Sequence, residues 1–198
     1  MRNILSTSSK SKERVITVDR FYQYPDQVRD IGLQQIFYPD SSYIGNRSNP
    51  LLFEGVKEAF EELLDEQIIN WKTGNEYNGS FQSITSGEVS PIHASNYDWF
   101  GIIFLTPDAP PESGITLYRH KETKIYHTGD KNISVIKDEN FLDKFRFEQM
   151  DVLGNVYNRL VLIDAKLLRA YSEYFGDIIP NGFFSQIFYF NTGDAEWL

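Results

Sequence analysis

The chain has 198 residues, no cysteine, and 28 acidic against 19 basic side chains, for a formal net charge of -9. That balance opposes a nucleic-acid role, which needs cationic surface to displace phosphate counterions, and the missing thiols exclude disulfides, thiolate metal sites and cysteine nucleophiles. Hydrophobic residues at 41% and aromatics at 15% supply the bulk of one sizeable core and favour strands over helices.

Residues 1–12 are expected to form a polar N-terminal arm and residues 13–198 a single domain, since no repeat or linker divides them. The opening "MRNILSTSSKSKER" lacks the apolar centre of a secretory signal, and no run reaches the roughly 18 apolar residues of a membrane span, so an intracellular protein is expected. "RVITVDRFY" predicts a first strand. Pro25 and Asp26 open a helix over "YPDQVRDIGLQQ", with Val28, Ile31 and Leu33 as its buried positions. "YPDSSYIGNRSNP" reads as a loop. In "LLFEGVKEAFEELLDE", Val56, Ala59, Phe60, Leu63 and Leu64 recur at the spacing of a buried helical stripe.

Strand-like runs follow: "IINW", "SFQSIT", "WFGIIFLTP", "GITLYRH", "NRLVLID" and "SQIFYF". Asn78-Gly79 is a turn signal, and "TPDAPPESG" is a loop. "ENFLDKFRFEQM" predicts a short helix, and "LLRAYSEYFG" a loop or single turn. Two early helices followed by many strands predict an α+β, mainly β domain, with helices packed on one sheet of a jelly roll.

Four blocks carry a resemblance covering most of the chain: "ITVDRFYQYPDQVRDIGL", "YIGNR", "IHASNYDWFGIIFLTPDAPPESGITLYRHK" and "NVYNRLVLIDAKLLRAYSEYFGDIIPNGFFSQIFYF". In order and spacing they resemble a phage and marine-bacterial family of 2-oxoglutarate/Fe(II)-oxygenase-like proteins. The resemblance implies a cupin-like double-stranded β-helix with iron and 2-oxoglutarate held in its mouth. Active members hold Fe(II) by a His-x-Asp/Glu motif and a distal histidine, and a basic residue pairs with the far carboxylate of 2-oxoglutarate.

By this resemblance His93 stands at the first ligand position, Ser95 at the carboxylate, Arg169 at the distal histidine and Phe183 at the co-substrate cation. A hydroxyl is a poor iron ligand and a guanidinium is none: at ~4 Å a cation and a dication repel by roughly 8 kcal/mol for an effective dielectric near 20. The expectation is a remnant site with no catalytic residue, no metal and no cofactor, in which the Arg169 guanidinium enters the former metal position. His93 then hydrogen-bonds to Ser95 or to a backbone carbonyl.

Other groups have plainer roles. Asp98 is offset too far from His93 for strand geometry, and His120 and His127 flank an edge hairpin. Arg119 and Lys121 read as a solvated strand face, and Glu61, Glu62 and Asp65 as the polar side of a helix. Arg159 and Tyr171 are possible anion or ligand contacts, with a structural salt bridge as the alternative for Arg159. No Gly-x-Ser-x-Gly or phosphate-loop motif is present.

The functional expectation is a catalytically inactive oxygenase fold used as a structural or interaction module. Its partners are other protein chains, reached through the N-terminal arm and tyrosine-rich surface, in a virion (neck, tail or capsid-associated) or in host cytoplasm. One alternative is an active oxygenase using Fe(II) and 2-oxoglutarate in a rearranged site. Another is a small-anion or glycan-binding jelly roll built on His93, Arg169 and Tyr171.

Overall fold

The computed structural model describes residues 14–39, 44–72, 77–129 and 144–193. The expected N-terminal arm, residues 1–12, lies outside them.

In chain order the elements are β1 (Val15–Val18), α1 (Pro25–Leu33), β2 (Phe37–Pro39), β3 (Asn46–Ser48), α2 (Val56–Leu64), β4 (Ser80–Ile84), β5 (Trp99–Phe104), β6 (Ile115–His120), β7 (Phe147–Leu153), β8 (Leu160–Asp164), β9 (Arg169–Tyr171) and β10 (Phe183–Phe190). A seven-stranded sheet has the order β1-β8-β5-β10-β4-β3-β2, and a three-stranded sheet the order β7-β6-β9. All the pairings are antiparallel. This is the jelly roll expected from the sequence, with both helices on the large sheet.

Alternation along the central strands divides the interior into two layers. Phe100, Ile102, Phe104, Val161, Ile163, Phe183 and Ile187 face the small sheet, where they meet Ile115, Leu117, Leu167 and Tyr171. Their neighbours Trp99, Ile103, Leu160, Leu162, Phe184, Phe188 and Phe190 face the helices. Because both faces are covered, these strands read as nearly continuous apolar runs. Phe60 of α2 is fully buried among Phe188, Phe190, Trp71 and Phe21, with ring centroids 5.1–5.7 Å away.

Helix α1 starts at Pro25 with Asp26 in its first turn, as expected, and buries Val28. Ile31, expected inside, is 40% exposed. The contact position belongs instead to Gly32, where a Cβ would stand 2.5 Å from the Phe81 ring and 3.0 Å from Phe184. The missing side chain lets the helix backbone approach the stacked Phe81–Phe184 pair, whose planes differ by 5°.

Four other expectations change. "IINW" makes only the isolated Ile68–Thr192 bridge; Trp71 is apolar because it stacks on Phe188, at 5.6 Å. The loop "YPDSSYIGNRSNP" contributes parts of β2 and β3, which extend the large sheet through β4. In "ENFLDKFRFEQM", residues 139–143 lie outside the described segments, and the remainder is one 3-10 turn leading into β7. "LLRAYSEYFG" holds β9. Its alternation was hidden because the inward positions carry Arg169 and Tyr171, whereas Leu168 and Ala170 pack on the outer side with Ile92, Ile125 and Phe147.

Candidate functional site

The segment around His93 runs antiparallel to β9. The His93 N–H donates to the Arg169 carbonyl at 2.8 Å, and the Arg169 N–H donates back to the His93 carbonyl at 2.9 Å. Two residues on, the Ser95 N–H donates to the Ala165 carbonyl at 2.8 Å. Arg169 Nη1 donates to that same carbonyl at 2.7 Å and to the Leu167 carbonyl at 3.3 Å. The shared acceptor brings the guanidinium beside Ser95. Arg169, far from His93 and Ser95 in sequence, therefore meets them in one place.

Arg169 is 1% exposed. Its guanidinium lies over the Phe100 ring, 4.7 Å from the centroid, a favourable cation–π arrangement. The phenolic groups of Tyr189 and Tyr171 favour its charge, Tyr189 also as a side-chain hydrogen-bond partner. Burial pushes its pKa down from the usual range, yet guanidinium starts so high that it stays charged. Nε and Nη2 of Arg169 are buried, and Oγ of Ser95 is buried without a hydrogen-bond partner among the described residues.

His93 is half-buried, and its Nδ1 donates to the Pro91 carbonyl at 3.1 Å, leaving Nε2 as an acceptor. Burial, and then the charge of Arg169, lowers its pKa to about 4. The imidazole is neutral at neutral pH. Of the two partners expected from the sequence, the carbonyl is the one found.

Phe183 is fully buried, its ring 5.1 Å from Tyr171, 5.8 Å from Phe104 and 6.0 Å from Tyr174. Tyr171 donates to Gln82 Oε1 at 3.0 Å, and burial raises its pKa far above the usual phenol value. The space beside His93, bounded by Phe100, Ile115, Arg169, Ala170 and Tyr171, is a cavity of about 10 Å³.

Arg47 was not singled out from the sequence, although it ends the "YIGNR" block. On β3 it pairs in register with Gln82, which fixes it on the inner face of the sheet, and it lies over Tyr77 at 4.9 Å. Its charge acts on both His93 and Tyr171. Tyr189 was likewise missed, because inside an apolar strand an inward tyrosine is indistinguishable from a packing residue.

The remaining candidates are engaged elsewhere. Arg159, at the opposite end of β8, directs its fork at Asp19, with Nε–Oδ1 2.6 Å and Nη2–Oδ2 3.2 Å, the structural salt bridge given as its alternative reading. Asp98 accepts from Lys166 Nζ at 2.8 Å. His127 Nε2 donates to Asp164 at 3.1 Å, while its Nδ1 accepts from the Gly129 N–H. His120 is buried against Phe147, with Thr123 at Nδ1. Arg119 pairs with Glu148 at 2.9 Å, and Lys121 donates to the Phe145 carbonyl.

No protein-family model and no curated protein matches the chain. Solved structures do. HygX from Streptomyces hygroscopicus with nickel, 2-oxoglutarate and hygromycin B bound superposes with a TM-score of 0.61 at 10% identity, over 94% of this chain and 86% of that one. HygX with iron bound gives 0.57 at 10% identity over the same shares. A Pseudomonas putida prolyl-4-hydroxylase gives only 0.45 at 10% identity, over 91% of this chain and 93% of that one, and adds nothing to the assignment. The structural neighbours are 2-oxoglutarate/Fe(II)-dependent oxygenases, and the likeness establishes a double-stranded β-helix fold.

That fold implies Fe(II) and 2-oxoglutarate, and the residues present do not fit them. An imidazole, a hydroxyl and a guanidinium do not make a two-histidine, one-carboxylate iron site. No cluster of three or more metal-ligating histidines or carboxylates occurs among the described residues. Phe183 offers no charge to a carboxylate, and the space beside His93 is about one water in size.

Proposed function

We propose that the protein is a catalytically silent 2-oxoglutarate-oxygenase fold serving as a structural or interaction module. The observation that carries this reading is the buried Arg169, bound to the same carbonyl as Ser95 and directly opposite His93. A fixed cation there opposes a metal dication, and the shared carbonyl anchors it in place. An active site with rearranged ligands would need a carboxylate near His93. Asp98, five residues on, is committed to Lys166.

The interaction role rests on the resemblance to phage proteins and on the tyrosine-rich surface. A virion setting, with protein partners reached through the N-terminal arm, is the form of it proposed here. The test has two arms. Mn(II) titration followed by electron paramagnetic resonance, and succinate release from 2-oxoglutarate with Fe(II) and ascorbate, should both give no signal. Stoichiometric metal binding or succinate release overturns the silent-fold reading. Restoring the ligands by Ser95→Asp with Arg169→His should produce Mn(II) binding that the parent lacks. Cross-linking of the full chain in its native particle or lysate should capture capsid, neck or tail proteins; a monomer without such neighbours counts against the interaction role.

A further inference from the structure

On the helix side of the large sheet, away from His93, an open groove of about 410 Å³ runs between α1 and α2. Val28 and Ile31 of α1 and Val56 and Ala59 of α2 line it, with Phe21 and Tyr22 from the loop after β1. The Tyr22 hydroxyl is spent on Gln186 Oε1 at 2.6 Å, so the lining stays largely apolar. Ile31, which the sequence marks as a buried position, stands exposed here. The rim is acidic. Glu54 lines the groove, and the exposed Glu58, Glu62 and Asp30 each follow a lining residue (Gly55, Ala59 and Gln27) by three positions. The cations of these helices are engaged elsewhere: Lys57 pairs with Glu61 at 3.1 Å, and Arg29 donates to the Pro180 carbonyl at 2.7 Å.

An apolar groove with an acidic rim fits an aliphatic segment that carries cations and no acid. Residues 1–12, "MRNILSTSSKSK", have that composition. Met1, Ile4 and Leu5 recur at i, i+3 and i+4, the anchor spacing of helix-in-groove docking. Arg2, Lys10 and Lys12 are the segment's charged side chains, in a chain whose net charge is -9.

The direction of the chain favours a neighbour's groove. The Arg14 carbonyl accepts from the Asp164 N–H, at the end of β8 remote from the groove. The groove lies toward the other end of β1, where Val18 pairs with Leu160 and the Phe21 N–H donates to the Asn158 carbonyl. Reaching it within one chain needs a reversal, and residues 6–13 offer no glycine, proline, asparagine or aspartate to make one. Extended, the segment before Arg14 spans up to ~40 Å, enough to reach a second molecule.

We propose that residues 1–12 of one copy seat Met1, Ile4 and Leu5 in the α1–α2 groove of a second copy, with their cations against Glu54, Glu58, Glu62 and Asp30. This rests on the interaction role proposed above and names a second copy of the chain as the arm's partner.

Because the chain has no cysteine, disulfide trapping reads the contact directly. Full-length Leu5→Cys and Ala59→Cys chains, mixed and oxidised, should form a 5–59 disulfide between chains, identified by mass spectrometry of a digest. Val152→Cys, on the exposed face of β7, should pair with Leu5→Cys at a yield severalfold lower. Light scattering of the parent should show self-association that weakens with salt, and Leu5→Asp should return it to the single-chain mass. A parent that stays monomeric, or a double variant joined only within one chain, overturns the proposal. Capture of other proteins by Leu5→Cys, with no second copy, overturns it and leaves the interaction role standing; capture of neither sinks both.

Discussion

His93 and Arg169 face each other across a two-residue β-bridge, with backbone hydrogen bonds of 2.8 and 2.9 Å, and Arg169 Nη1 reaches back to the carbonyl that also receives the Ser95 N–H. The backbone of the jelly roll thus brings together the positions that the family resemblance marks as the iron site, and the side chains there are a neutral imidazole, a hydroxyl and a cation.

Shortening Arg169 and neutralising it should have different costs. Arg169→Ala removes the stem from a closed interior, takes one of two donors from the Ala165 carbonyl and the side-chain donor from the Leu167 carbonyl, so it should destabilise by ~3 kcal/mol or more. Arg169→Met keeps the apolar stem and removes the buried charge, and should stay within ~1 kcal/mol of the parent. Urea unfolding decides this; equal losses for both variants would show that the guanidinium bonds outweigh its desolvation.

His93 should make stability depend on pH. Its folded pKa, about 4, lies below the ordinary 6.5 because burial and Arg169 disfavour the charged ring. The unfolded chain therefore binds more protons between those values. The contribution is complete above pH 6.5 and is lost as pH falls toward 4. At pH 5 the loss has a ceiling of ~2 kcal/mol. Denaturant midpoints for His93→Gln should vary less between pH 6.5 and 5 than those of the parent.

Gly32→Ala tests the seating of α1. The added methyl would stand 2.5 Å from the stacked Phe81 ring, and overpacking of this kind costs ~1–3 kcal/mol. In an isolated helix the same change would be stabilising. An increase in Tm for Gly32→Ala would mean the helix sits further from the sheet than described.

Arg159→Ala separates the surface pair from the buried site. Asp19 and Arg159 are a well-formed but solvent-reached bridge, and its loss should cost at most ~1 kcal/mol. The pH dependence carried by His93 should be unchanged, since Arg159 lies at the far end of β8.

The central strands were legible in the sequence because β4, β5, β6, β8 and β10 are apolar or alternating runs punctuated by turn residues. Helix α2 was legible from its buried stripe. β9 was not, since polar residues occupy its inward positions. Neither was the fate of "IINW", whose apolar residues pack without pairing. Arg47 escaped notice because a loop arginine in a linear sequence has no side; its register with Gln82 gives it one.

By itself the sequence determined, through hydrophobic periodicity, a mainly β domain with helices on one sheet; the resemblance carried by four blocks implied the double-stranded β-helix and pointed to His93, Ser95, Arg169 and Phe183 as the positions to compare. Only the tertiary structure decided what those side chains do together. Ser95 and Arg169, from two separate segments, share one carbonyl, and His93, Phe100, Ile115 and Arg169 bound one cavity of about 10 Å³; whether a buried cation finds an acceptor depends on distances and directions that no spacing along the chain encodes.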